Sequence, residues 1–199
     1  SAYHLTSSSS HELKADTTAT TSATCDGCSG QATTLHVLYL RHPRTTQLDN
    51  NAIAWAQQCQ SCSASALSVQ VAVVRGGASV TANNRALATN SACAECQSSA
   101  AAVQLVVVSP HAERLSRSAL ADLRAWVADQ SAQLAALDPG AAAGPSPNAR
   151  LAPKTSTQSS AEGNAGSTLL PGAMDSLQHL VNSDLGSTTD QAHIDVFAP

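Results

Sequence analysis

The sequence predicts a mainly β fold with α additions: tandem 34-residue β-hairpin repeats forming a sheet or stacked sheets, covered by one long amphipathic helix. Three observations carry this reading. Cys25-Asp-Gly-Cys28, Cys59-Gln-Ser-Cys62 and Cys93-Ala-Glu-Cys96 recur at one constant spacing, which is an internal repeat. Each pair is followed by a β-branched, alternating run, as in Leu67, Val69, Val71 and Val73. From Leu115 to Leu137 the apolar period becomes helical, with Leu120, Leu123, Val127, Leu134 and Leu137 on one stripe and Trp126 beside it.

Taken along the chain, residues 1–16 form an N-terminal tail and a candidate exchanged strand. Residues 17–109 hold the three repeats. Laid over one another without gaps, the copies bring together Ala32, Ala66 and Ala100, then Leu35, Val69 and Val103, and Asn50-Asn-Ala52 falls on Asn84-Arg-Ala86. The matching part of the first copy, around Thr18-Ala-Thr20, is degraded. The half upstream of each cysteine pair alternates too, with Ala52, Ala54 and Ala56 opposite Ile53 and Trp55. Strand is the preferred reading there, with helix competing because Ala is the best helix former. The last positions of each second strand are apolar on both faces, as at Val106, Val107 and Val108, so these strands expect cover on both sides.

The helix of residues 110–139 supplies one such cover, packed on the sheet, and Asp138-Pro-Gly stops it. Residues 140–172 are rich in Ala, Gly, Pro and Ser and read as a linker. Residues 173–199 hold a short helix, Met174 to Leu185, and a strand-like tail ending in His193-Ile-Asp-Val-Phe197.

Composition narrows the function. Net charge is -4 and only 12% of residues are charged; no Lys/Arg cluster is present, which argues against nucleic-acid binding. No run of 18 apolar residues exists, so no membrane-spanning helix is expected. The chain starts at Ser1 without Met, as a processed exported protein would, and a secreted, cell-surface location is expected. The sequence carries no Gly-x-Ser-x-Gly elbow, phosphate loop or dinucleotide fingerprint. His11-Glu12 begins a zinc-protease pattern, but Ala15 stands where the second His is needed. The seven histidines show no ligand spacing on one element. Trp55 and Tyr39 read as packing residues in preference to binding aromatics.

The cysteine pairs admit three readings. A thioredoxin-like site uses a single pair between a strand and a helix, and three copies in a β repeat do not suit it. A zinc ribbon wants two converging pairs with shorter spacing, which leaves one pair over. A local disulfide in each unit is the favoured reading, bridging Cys25 to Cys28, Cys59 to Cys62 and Cys93 to Cys96, with metal and redox sites as the lesser alternatives. Such a bridge contributes roughly 2 kcal/mol by constraining the unfolded chain.

The pattern Ala-x-Ala, Cys-x-x-Cys, then Ala-x-x-Val-Gln-x-Val-Val, seen from Asn50 to Val74 and from Asn84 to Val108 with Gln70 and Gln104, resembles tandem Cys-x-x-Cys β repeats of actinobacterial secreted and surface proteins, also found attached to peptide zinc metalloproteases. The likeness spans roughly Thr18 to Ser109. It implies an exported, disulfide-bearing β repeat and brings no activity, since the protease part has no counterpart here. His36 departs from the pattern where the other copies have Gln.

The expected function is therefore a non-enzymatic, secreted structural protein that self-assembles into a fibre or surface layer. Its partner is itself, through β-strand addition by Tyr3, Leu5, Ile194, Val196 and Phe197; no cofactor, metal or small-molecule substrate is expected. A monomeric extracellular binding or adhesion module, using Trp55 or the loops at Arg41–Arg44 and Arg75–Gly77, is the alternative. A thiol redox enzyme comes last.

Overall fold

A computed structural model describes residues 1–76, 79–109, 114–137, 170–186 and 189–197. Its strands are β1 (Ala2–Ser8), β2 (Glu12–Ala23), β3 (Ser29–Arg41), β4 (Thr45–Gln57), β5 (Ser63–Arg75), β6 (Ser79–Ser91), β7 (Gln97–Val108) and β8 (Thr189–Phe197), with helices α1 (Arg117–Ala135) and α2 (Leu170–Leu185) before the last strand. Five strands form one sheet in the order β1-β3-β5-β7-β8, and three form a second in the order β2-β4-β6. These are called sheet A and sheet B below.

The expected hairpins are corrected by this topology. The two strands flanking each cysteine pair belong to different sheets and do not pair with each other. Each pairs in parallel with its equivalent in the next copy: Ser29 with Ser63, Thr45 with Ser79, and Ser63 with Gln97, each a full repeat apart. The chain is thus a flattened β solenoid whose coil is one repeat. Alternation along a strand reports which face is buried, not which strand lies alongside, so a hairpin and an arch read alike from residues.

The Ala-rich upstream halves are strands, and the sheets approach face to face through them. Ala19, Ala52, Ala54, Ala56, Ala86 and Ala88 of sheet B meet Ala64, Ala66, Ala100 and Ala102 of sheet A in one buried cluster near the cysteines. At the other end of the strands the interior widens to Leu38, Leu40, Leu48, Val74 and Val106. Sheet A is buried on both faces along β5 and β7. Its outward residues, including Leu35, Val37, Tyr39, Leu67, Val69, Val71, Val103 and Leu105, share a cluster with Leu123, Val127 and Leu134 of α1 and Leu177 and Val181 of α2. The helix α1 starts at the N-cap Ser116, whose side chain accepts from the Ala119 N–H. Its contacts with sheet A include a Thr33–Ser131 hydroxyl bond of 2.6 Å and a bond from the Ser99 hydroxyl to the Leu134 carbonyl. The linker expected at 140–172 falls mostly outside the described residues, and α2 begins at Leu170.

Between the two apolar parts of the interior lies a polar belt. Gln104 donates to the Gln70 side-chain oxygen at 2.6 Å, and Gln70 in turn donates to the Thr17 hydroxyl at 2.9 Å. Thr17 bonds His36 Nδ1 at 3.0 Å, and His36 Nε2 bonds Thr6 at 2.8 Å. Beside this ladder Asn50 donates to Asn84 Oδ1, the Ser68 carbonyl and the Val103 carbonyl, while its own Oδ1 accepts from the Ser68 hydroxyl at 2.6 Å. Gln70, Gln104 and Ser68 are fully buried. Buried polar groups of this kind are tolerated only when bonded, and the ladder bonds nearly all of them. Among the described residues, Thr46 Oγ1 and Gln104 Oε1 are the buried atoms without a partner. Gln104 is the last member of its column, and the next strand, β8, sets His193 opposite it in register.

The tails belong to this chain's own sheet. Tyr3 and Leu5 lie in β1, paired in parallel with Leu35 and Val37 of β3. Ile194, Val196 and Phe197 lie in β8, opposite Val103, Ala101 and Ala100 of β7, in antiparallel pairing. No helix among the described residues is long and apolar enough to cross a membrane.

Two outcomes are expected. Asn50→Ala leaves the Ser68 hydroxyl without its acceptor and removes the amide that ties Asn84 and the Ser68 and Val103 carbonyls together; it should lower stability by about 2–4 kcal/mol, read as a fall in urea midpoint with an unchanged slope. His36 has its pKa lowered, first by burial and then by His4. The unfolded chain therefore takes up its proton first as pH falls. Stability linked to His36 is present above about pH 6.5 and is lost below it. Urea midpoints between pH 7.5 and 5 should fall less steeply in His36→Gln, which restores the residue of the other two copies; an unchanged slope would refute the assignment.

Candidate functional site

The three cysteine segments form a stack of arcs at one end of the sandwich, each carrying the chain from sheet B to sheet A. Their backbones bond to one another. The Gly27 N–H donates to the Gln60 carbonyl and the Ser61 N–H to the Ala94 carbonyl, both at 2.8 Å, and Gln97 N–H reaches the Cys62 carbonyl at 2.8 Å. Side chains add two more links: Asp26 accepts from the Gln60 N–H, and the Ser61 hydroxyl donates to Glu95. Gly27, Ser61 and Glu95 occupy the same place in successive arcs, and all three have left-handed φ, at 69°, 52° and 55°. Gln58 and Ala92, one residue before the first cysteine, are left-handed as well. For residues other than Gly such a conformation costs about 1–2 kcal/mol, so the arcs are held by their neighbours above and below.

The first arc differs from the others. β2 pairs with β4 at an offset one residue short of a full repeat, as in Glu12 with Thr45 and Ala23 with Ala56, whereas β3 pairs with β5 at the full repeat, as in Ser29 with Ser63. Thr24 alone therefore stands where the other copies have Gln57-Gln58 and Ser91-Ala92. The shorter path draws the strands together. A Cβ on Gly30 would lie 2.6 Å from the Ser22 carbonyl oxygen, while the equivalent positions are Ala64 and Ser98.

Each arc closes its own disulfide: Cys25–Cys28, Cys59–Cys62 and Cys93–Cys96, with Cα separations of 5.3, 6.2 and 5.7 Å. The bridges of the second and third arcs stack. Cys59 Sγ lies 3.4 Å from Cys93 Sγ and 3.8 Å from Cys96 Sγ. Cys59 and Cys62 are 6% and 1% exposed, Cys93 and Cys96 are half-buried, and Cys25 is open to solvent.

The opposite arcs are simpler. His42 and Gly76 take left-handed φ at equivalent places, and a Cβ on Gly76 would lie 3.2 Å from His42 Nδ1. Residues 77 and 78, part of the expected binding loop, lie outside the described residues. A polar groove of ≈ 330 Å³ is lined by residues of β1, β2 and β3, among them His4, Thr6, Asp16, Thr17 and His36. There the His4 and His36 rings meet edge-on at 6.0 Å. Both ring nitrogens of His36 bond threonine hydroxyls, so its role is a rung of the ladder.

Trp55 is half-buried on the outward side of sheet B between Ser22 and Thr89, a packing place outside the core. Tyr39 is in the core, 4% exposed, and its hydroxyl accepts from the Leu115 N–H. The ladder residues Thr17, Asn50, Ser68, Asn84 and Gln104 escaped assignment from residues alone. Their signal was available: Asn and Gln recurring one repeat apart at inward positions of an apolar strand. The chain matches no protein-family model, no curated protein and no solved structure; of the expected likeness, the structure shows the repeated Cys-x-x-Cys pairs and the β coil of one repeat.

Exposure orders the bridges by reactivity. Limited treatment of the folded protein with a small thiol, followed by alkylation and peptide mass mapping, should label Cys25 and Cys28 first, Cys93 and Cys96 next, and Cys59 and Cys62 last.

Proposed function

We propose that the chain is an exported structural protein that assembles with copies of itself by strand exchange, with β8 of one copy completing sheet A of the next. The observation that carries the reading is the attachment of β8. It is the one antiparallel partner in a set of otherwise parallel pairings among the described strands. It follows β7 only after a long connection that includes the Ala/Gly/Pro/Ser-rich residues 140–169. In such an exchange α2, which leads into β8 through residues 186–188, travels with it, and exchange of identical elements builds oligomers from contacts a protein already makes.

Sheet edges point the same way. Simple end-to-end stacking of whole solenoids is hindered, because β1 and β8 extend sheet A one strand beyond sheet B at each end. Exchange removes that obstacle without new surfaces. Sparse charge favours association: from Thr45 to Pro110 only Asp49, Arg75, Arg85 and Glu95 are charged, and open edges are normally guarded by charge. Helix α1 acts in this reading as the lid over the outward face of sheet A. The three bridges suit an oxidising, extracytoplasmic compartment.

A monomeric binding module is the second reading, favoured by the outward side of sheet B, where Ile53 pairs with Leu87, which is 44% exposed, and half-buried Trp55 lies alongside.

The test is sedimentation velocity of the oxidised full chain across a wide concentration range. Mass should climb in steps of one chain, and removing residues 189–199 should return it to the monomer. A single monomeric mass at every concentration would refute assembly and favour the binding module. A truncated chain that still assembles would refute the part given to β8.

A further inference from the structure

Two adjacent arcs bring the sulfurs of Cys59, Cys62, Cys93 and Cys96 within 4.8 Å of one another, which no other group of three or more potential ligand side chains among the described residues achieves. A tetrahedral zinc thiolate centre has Zn–S bonds of about 2.3 Å, which sets its sulfur–sulfur edges at about 3.8 Å. Two edges between the pairs are already 3.4 and 3.8 Å. The edges within each pair are the disulfides themselves. Reduction lets each open by rotation about Cα–Cβ while the arc backbones stay bonded through Ser61 to Ala94 and Gln97 to Cys62.

We propose that this quartet, once reduced, binds one thiophilic divalent cation of the zinc class, so that the same four sulfurs serve as two bridges under oxidising conditions and as one metal centre under reducing ones. The balance is direct. Two molecules of a dithiol reductant each give two electrons and two protons to one bridge and leave as cyclic disulfides, producing four cysteine thiols. The cation then displaces the four thiol protons to the solvent and is held by four thiolates. The centre is doubly negative, and the half-exposed Cys93 and Cys96 keep it in touch with water. Soft sulfur donors select zinc-like ions over magnesium or calcium.

The first arc does not contribute to the quartet. Its backbone keeps the register of the arcs above, yet the sulfurs of Cys25 and Cys28 are not members of the group. The site thus uses two of the three pairs, and the remaining pair serves as an internal control.

The experiment uses the full chain reduced with a phosphine, titrated anaerobically with Co²⁺ as the spectroscopic probe and then with Zn²⁺. One Co²⁺ per chain should bind with a strong sulfur-to-cobalt charge-transfer band and tetrahedral d–d bands, and Zn²⁺ should displace it. The spectrum should survive the double substitution Cys25→Ser, Cys28→Ser and vanish in Cys93→Ser, Cys96→Ser. Cys96→Ser alone, with three sulfurs left, should shift the d–d bands and weaken binding at least tenfold, which covers the case where the double variant fails to fold. A reduced chain without the Co²⁺ spectrum overturns the proposal, as does a spectrum unchanged in both Cys96 variants. Loss of sheet circular dichroism on reduction that Zn²⁺ does not restore also overturns it.

Discussion

The polar ladder inside the sandwich sets the register on which the rest of the molecule depends. Gln104, Gln70 and Thr17 form one column and Asn84, Asn50 and Ser68 another. A slip of one residue between coils would turn every amide outward and every outward valine inward. A slip of two would keep the faces but push Gln70 among the alanines or among Leu38 and Leu48, with nothing to bond. Apolar contacts between alanine and valine rows tolerate sliding; a buried amide that must meet its twin does not. The length of the coil is therefore imposed from within, and the arcs inherit the alignment that stacks the cysteines.

Much of this was legible in the residues, for identifiable reasons. A parallel coil repeats its environment at every turn, so Val69 and Val103 face the same neighbours and the repeat shows directly. The helix starting after Leu115 declared itself by period, and the cysteine pairs by spacing. Strand partners did not, because alternation at Leu67, Val69 and Val71 says nothing of whether the neighbour lies across a turn or one coil away. The first copy looked degraded only because it was laid down without a gap. Allowing for the missing residue beside Thr24 places Ala19 on Ala52 and Ala23 on Ala56, and the copy becomes whole. Trp55 packs outside the sandwich because the close approach of the sheets reserves the inward side of β4 for alanine, a constraint that tryptophan's own preference for burial does not reveal.

That missing residue also shows where the fold bends to accommodate change. Strand length is fixed by pairing over 13 residues in β3, β4 and β5, but an arc can lose a residue if a glycine admits the tighter path, as Gly30 does. Losing it takes one left-handed residue away, since Thr24 has none of the positive φ seen at Gln58 and Ala92. The first bridge, with Cys25 exposed and Cys28 half-buried, stands outside the group that the other two pairs form.

The direction of the backbone bonds has a mechanical side. In a parallel stack they run along the stack axis, and the disulfides, each closed within four residues, link no coil to the next. Tension along the axis is thus borne by rows of weak bonds that peel from an edge one after another. Each coil that lets go gives roughly 110 Å of slack for about 4.8 Å of stack height. Such a rod stretches in small, self-limiting steps, as a shock absorber does, and its bridges shorten the slack without locking the coils together.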